Sequence, residues 1–202
     1  MKYSVIEKDK SYTFHDYFDL DPPIRELLEY FGYVYDMQDY PLSKTNFDLQ
    51  AFSYLKGHVE GNLYQVGLSS ETARREALIS PVLMAVARHL KAILELEYPV
   101  KVNHQLKGKI DYFMRRENNL LIVEAKKADL QRGFTQLSVE LIALDHWLDE
   151  DDKPIYGIVS MGEAWRFGIL NRQTKVITQD INLFRVPADL DELLQILLAI
   201  LS

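Results

Sequence analysis

The chain has 202 residues, a 48% apolar share, a 26% charged share and a formal charge of -7, the make-up of one globular domain with its own core. Its zero cysteines exclude disulfides, thiolate metal sites and thiol nucleophiles, leaving carboxylates, histidines and lysines to carry any chemistry. The acidic balance argues against a general basic coat for nucleic acid, no apolar run reaches membrane-spanning length, and charges throughout residues 1–20 argue against a secretory signal, so a cytoplasmic protein with no membrane partner is expected.

No repeat or low-complexity tract divides the chain, which reads as a single domain: an N-terminal extension over 1–68, a core over 69–182 and a C-terminal helix over 183–202. Asp21, Pro22 and Pro23 before "IRELLEYFG" predict a capped short helix closed by Gly32. "YVYDMQDY" and "FDLQAFSYL" read as strand-like, their tyrosines as packing or as a stacking platform for bases. "SSETARREALISPVLMAVARHLKAILE" predicts a long helix, with Leu78, Val82, Val86 and Ile93 at helical spacing and Pro81 kinking or dividing it. "PVKVNHQ", "GKIDYFM" and "LLIVEAK" follow as three strands, the last two joined by a turn at "RRENN". "ADLQRGFTQLSVELIALDHWL" predicts a well-covered helix, with Val139 and Ile142 outside its main apolar stripe. "PIYGIVS" and "AWRFGIL" predict a hairpin around Met161, Gly162 and Glu163, with Trp165 in the core, "KVITQ" a further strand and "LDELLQILLAIL" a closing helix. A hairpin beside a helical crossover predicts a mixed sheet flanked by helices.

Charge is unevenly spread along this order. Residues 1–70 hold 6 basic and 11 acidic side chains and residues 136–202 hold 5 and 11, whereas residues 71–135 hold 12 and 8. The one net basic segment contains the most unusual strand, "LLIVEAKK", in which an apolar run ends in charge. Residues two apart in a strand share a face, so Glu124 and Lys126 point one way and Lys127 the other. An even loop in the preceding hairpin would bring Asp111 opposite Glu124 or Lys126 on that face. Spacing admits two readings. The pair can be a strand-end ion pair with Asp111 as an edge residue, or two carboxylates can hold a hard cation such as Mg²⁺ while Lys126 offsets charge on a phosphate. The five histidines show no zinc-ligand spacing.

Gly108 to Asp111 as G-x-x-D, "VEAKK" as E-x-K and a glutamine on the following helix resemble the PD-(D/E)XK nuclease superfamily, whose fold is restriction-endonuclease-like. The helix "ETARREALISPVL", the two strands and "YGIVSMGEAWRFGIL" look most like the N-terminal nuclease domain of type I restriction motor subunits, over residues 70–170. No P-loop is present, so the motor itself is absent. The resemblance implies an αβββαβ core and Mg²⁺- or Mn²⁺-dependent hydrolysis of DNA. By it Asp111 and Glu124 would ligate metal with the Ala125 carbonyl, Lys126 would be catalytic, Glu76 would be the first-helix acid and Gln136 would contact a water or phosphate. Glu76 flanks the apolar stripe of its helix, with Glu71 as the alternative. Two positions depart from the family pattern: Ile110 stands for the proline, and Glu140 for the tyrosine four residues after the glutamine. Arg74, Arg75, Lys107, Lys109, Arg115, Arg116 and Arg132 are candidates for DNA backbone contact. A catalytically silent member, binding nucleic acid or protein, is the second reading, and an unrelated small-molecule domain the third. Cutting both strands calls for two active centres, which leaves a homodimer or an unidentified protein partner open.

Overall fold

Backbone donors and acceptors in an apolar interior must be paired, and this chain pairs them in one eight-stranded mixed sheet flanked by helices. The structure is a computed structural model that describes residues 6–148 and 153–202. In chain order the first elements are α1 (Phe14–Leu20), α2 (Ile24–Tyr30) and β1 (Val34–Gln38), then a 3-10 turn (Leu49–Phe52) running into α3 (Ser53–Gln65). One continuous helical stretch follows, made of α4 (Glu71–Arg74), a π-helical turn (Arg75–Ile79) and α5 (Ser80–Leu90). Next come β2 (Ile93–Lys101), β3 (Lys107–Arg116), β4 (Asn119–Ala125), α6 (Leu130–Trp147) and β5 (Ile155–Ser160), and the chain closes with β6 (Ala164–Asn171), β7 (Val176–Asp180), β8 (Phe184–Arg185) and α7 (Leu190–Ile200). From residue 71 to 160 the order is the expected helix, three strands, helix, strand.

The sheet runs β1-β7-β6-β5-β4-β3-β2, with β8 pairing β6. The β4–β5 and β1–β7 pairs are parallel and the others antiparallel. A parallel pair needs a crossover, and α6 supplies it between β4 and β5. Central β4 is covered on both faces, which explains its unbroken "LLIV" run. Leu121, Val123 and Ala125 enter a core formed with α3, α5 and α7. Leu120 and Ile122 enter the opposite core, with α1, α2 and α6. Residues 6–68, the described part of the expected N-terminal extension, are therefore woven into the fold: β1 is an edge strand of the sheet, and α1 and α2 help cover one face. No helix among the described residues is long and apolar enough to cross a membrane.

Several local expectations are corrected. The helix does not continue to Glu95; it ends at Leu90, and Lys91 turns left-handed at φ 55°. Beyond it Leu94, Leu96 and Tyr98 alternate with Glu95 and Glu97, a strand period that extends β2 back to Ile93. "PVKVNHQ" contributes only its first three residues to that strand. "FDLQAFSYL" is helical from Leu49 onward, because Leu55, Val59 and the partly buried Leu63 recur every four residues against the core. Helix α1, absent from the sequence reading, buries Phe14 and Tyr17. Asp21 does not cap α2, whose start at Ile24 has no side-chain cap; it pairs with Arg132 at 3.1 Å instead.

Pro81 is accommodated without a break. Lacking an N–H, it cannot serve the Ala77 carbonyl, which accepts from Asn62 Nδ2 at 2.7 Å. The preceding turn widens so that the Ser80 N–H reaches the Arg75 carbonyl, the π spacing.

The β5–β6 hairpin turns through Gly162 at φ 87°, where an added Cβ would lie 2.7 Å from Leu78 Cβ. Gly162→Ala therefore meets both a left-handed backbone and a packed helix. Urea unfolding should show a loss of about 2 kcal/mol; an unchanged midpoint would mean that the turn relaxes freely.

Candidate active site

The β3–β4 hairpin closes with Arg116 opposite Asn119, leaving Glu117 and Asn118 as a two-residue turn. The even loop carries the ladder to Tyr112 opposite Val123, so the next position in register sets Asp111 against Glu124. The "RRENN" turn is thus shorter than expected, and Arg115 and Arg116 belong to the strand. Asp111 Oδ2 accepts the Ala125 N–H at 3.0 Å, and its Oδ1 lies 3.0 Å from Arg75 Nη1. Glu97, the β2 residue that would face Asp111, has φ 51° and lies 3.9 Å from the same guanidinium.

Glu124 and Lys126 share a face and point toward α6. Glu124 is 2% exposed and Lys126 3%. The Lys126 ammonium donates to Glu124 Oε1, which also accepts from Gln136 Nε2 at 2.7 Å. The same amide donates to Glu140 Oε1 at 2.8 Å, and Glu140 is fully buried. Two features bring α6 this close. Asp129 caps the helix by accepting the Arg132 N–H at 3.0 Å. Gly133 leaves room for the lysine stem, since a Cβ there would sit 3.0 Å from Lys126 Cγ and 2.7 Å from Val159 Cγ1. Lys126 Nζ also lies 5.0 Å from the centre of the Phe18 ring on α1 and 4.0 Å from Glu71 Oε2.

Five carboxyl groups, Glu71, Glu97, Asp111, Glu124 and Glu140, are linked in sequence through the two cations Arg75 and Lys126 and Gln136 rather than gathered at one point, and the acids outnumber the cations. Burial, and then the nearby Asp111 carboxylate, push Glu124 up to about 7, against the lowering influence of Lys126. Burial pushes Glu140 well up too, with Glu124 adding to the shift. Burial works against the Lys126 ammonium, but Glu124 and its acidic neighbours outweigh it and raise the pKa, so the lysine stays charged. Glu124 Oε2, Gln136 Oε1 and Glu140 Oε2 are buried without a hydrogen-bond partner. A carboxylate oxygen in that condition is costly unless a donor, a proton or a cation meets it.

Other sequence candidates fall elsewhere. Glu76 does not lie at a buried rim: its side chain is exposed, because the π turn from Arg75 changes the helical phase and directs Ala77, Leu78 and Ile79 inward. Glu71 is the acid on this stretch that reaches Lys126. Gln136 is buried at the centre of the cluster rather than on the helix surface. Arg74 binds the Met161 carbonyl at 3.0 Å and Glu163 at 2.7 Å, and Arg132 pairs with Asp21 and Asp129. Arg116 donates to the Leu201 carbonyl and Lys109 to Glu97. Lys107 and Arg115 form no ion pair among the described residues; Arg115 stands at the hairpin end of β3, roughly 13 Å of strand rise from Asp111. The seven basic side chains do not form one surface around the site. Sequence reasoning missed the structural part of Glu140, whose signal was an acid in a helix apolar on every side.

No family model matches this chain, and no curated protein sequence matches it. Its fold and side chains define a mixed α/β protein with a buried acid–lysine cluster at the end of a central strand.

A raised carboxyl pKa has a definite sign in stability. Between 4.5, its ordinary value, and about 7, folded Glu124 holds a proton that the unfolded chain has released. Its contribution is therefore fully present below 4.5 and falls as pH rises toward 7. Glu124→Gln removes that dependence. Urea unfolding across this window should give a flatter pH profile for the variant, and parallel profiles would refute the assignment.

Proposed function

We propose that this protein is a divalent-metal-dependent nuclease of the PD-(D/E)XK kind, cleaving DNA phosphodiesters at Asp111, Glu124 and Lys126. The observation that carries the reading is the meeting of these residues where the end of β4 lies beside the middle of β3, with Glu124 Oε2 buried and unpartnered. Mg²⁺ or Mn²⁺ fits the residues, since oxygen donors with surplus negative charge suit a hard cation. No group of three or more acid or histidine side chains converges for a metal among the described residues. The proposed ligands are accordingly two carboxylates, Asp111 and Glu124, and the Ala125 carbonyl, with solvent and substrate oxygens completing the shell. When bound, the cation supplies Lewis-acid polarisation of a phosphate oxygen and eases deprotonation of water.

The chain's own groups do the positioning. Lys126, kept charged by its acidic neighbours, would turn from Glu124 toward charge building on the phosphate. Gln136 holds the Glu124 carboxylate in place through Oε1 and leaves Oε2 for the cation. Arg75 offsets Asp111 and fixes its second oxygen away from the Ala125 N–H. Glu71 takes the first-helix position that the family pattern suggested for Glu76. Lys107 and Arg115 are the basic candidates left for backbone contact, and a homodimer would supply the second centre for a double-strand cut.

A specific observation supports a second reading, a catalytically silent module. Lys126 is nearly inaccessible beneath Phe18, so a phosphate could reach it only if α1 shifted. Cleavage of supercoiled plasmid and single-stranded DNA with Mg²⁺ or Mn²⁺ separates the two. The nuclease reading expects wild-type cutting, absent in EDTA and reduced at least about a hundredfold in Lys126→Ala and Asp111→Asn. A wild type that cuts neither substrate with either metal would move the assignment to the silent module.

A further inference from the structure

Glu140 is the least comfortable residue of α6. Val139, Leu141, Ile142 and Leu144 around it are fully buried, and Glu140 itself is 0% exposed. Its Oε2 is buried with no partner, while Oε1 accepts from Gln136 Nε2 at 2.8 Å. No cation pairs with it among the described residues. A buried carboxyl group satisfied at one oxygen only is costly, and an apolar side chain of similar size would bury there without that cost.

The contact acts on Gln136. A side-chain amide carries two N–H donors on its nitrogen and an acceptor on its oxygen. Residues four apart on a helix are neighbours, so Gln136 and Glu140 lie together on the face of α6 that meets β4. The Gln136 nitrogen meets Glu124 Oε1 at 2.7 Å on one side and Glu140 Oε1 on the other. An amide held by one acceptor pivots about that bond and its two ends exchange places at little cost. Held by two, it presents its nitrogen to both and its plane is set.

We propose that Glu140 is a positioning residue for the centre: acting through Gln136, it fixes the Glu124 carboxylate in the orientation from which that group serves as a metal ligand. The inference rests on the metal site proposed above and extends it to the helix acid that stands where the family pattern has a tyrosine. Groups that orient a metal ligand without touching the metal commonly change affinity by about ten- to a hundredfold when removed.

Two measurements on the full chain test this, neither of which needs cleavage. Electron paramagnetic resonance of free Mn²⁺ gives the affinity, and nitrogen-15 NMR of the Gln136 side-chain amide in metal-free protein reports how firmly it is held. Glu140→Leu should weaken Mn²⁺ binding at least about tenfold and speed hydrogen exchange at the Gln136 amide, with no fall in the urea midpoint. Glu140→Gln, whose amide oxygen still accepts from Gln136, should restore both. A residue that only filled space would show the reverse, a lowered midpoint with affinity intact. Mn²⁺ bound equally tightly by wild type and Glu140→Leu overturns the positioning role and leaves the metal site standing. A wild type that binds no Mn²⁺ overturns the metal site, and this inference with it. Amide exchange unchanged in Glu140→Leu, or a Glu140→Gln that loses as much affinity as Glu140→Leu, overturns the coupling through Gln136. If Glu140→Leu does not fold, Glu140→Met decides, because its unbranched side chain follows the same path without the carboxyl group.

Discussion

The burial of Glu124 between β4 and α6 is the constraint to which the surrounding structure answers. A carboxylate at the end of an apolar strand must be met by donors or by a proton, because removing one partner of a buried pair costs about 3–5 kcal/mol. Lys126 meets it from the same strand and Gln136 from the facing helix. To deliver the glutamine, α6 has to approach closely, and Gly133 makes the approach possible. Glu140 then lies one turn further along, held by the same amide. Phe18 closes the outer side of the lysine. A surface pair of the same residue types would contribute only about 0–1 kcal/mol and would impose none of this order.

Asp111 is positioned by a different set of forces that converge on the same place. The two-residue hairpin turn sets its register. The π turn before Pro81 sets the direction of Arg75, which Tyr112 steadies through a hydrogen bond to the Arg75 carbonyl. The guanidinium then answers both Asp111 and Glu97. A proline that would ordinarily damage a helix is thus absorbed just beyond the residue that braces the carboxylate. The cluster keeps its acids close without neutralising all of them, the condition under which a proton or an added cation has most effect.

The second acidic locality, around Asp180, follows the same logic on another part of the sheet. Its strand also ends in a carboxylate with one oxygen saturated and one orphaned, but no lysine two residues on answers it.

Much of this was readable before any coordinate. The apolar run of β4, the alternation of β3, the well-covered α6 and the hairpin around Gly162 follow from hydrophobic period and turn chemistry, which act over a few residues. The shared face of Glu124 and Lys126 follows from strand geometry alone, and the placement of Asp111 needed only the parity of one loop. Other features were out of reach. Helices α1 and α3 bury only two side chains each, too few to stand out against strand-like neighbours. That Glu71 rather than Glu76 approaches Lys126 goes with a π turn, which accommodates a proline with the help of an asparagine 15 residues before Ala77. The engagement of Arg74, Arg116 and Arg132 depends on partners distant in the chain or brought near by helix packing. Local sequence determined where strands, turns and charged strand ends would form, because steric and solvation preferences operate over neighbouring residues. Which charges are paired, buried or left unanswered was decided only in the tertiary structure, because each partner comes from an element that sequence spacing does not place.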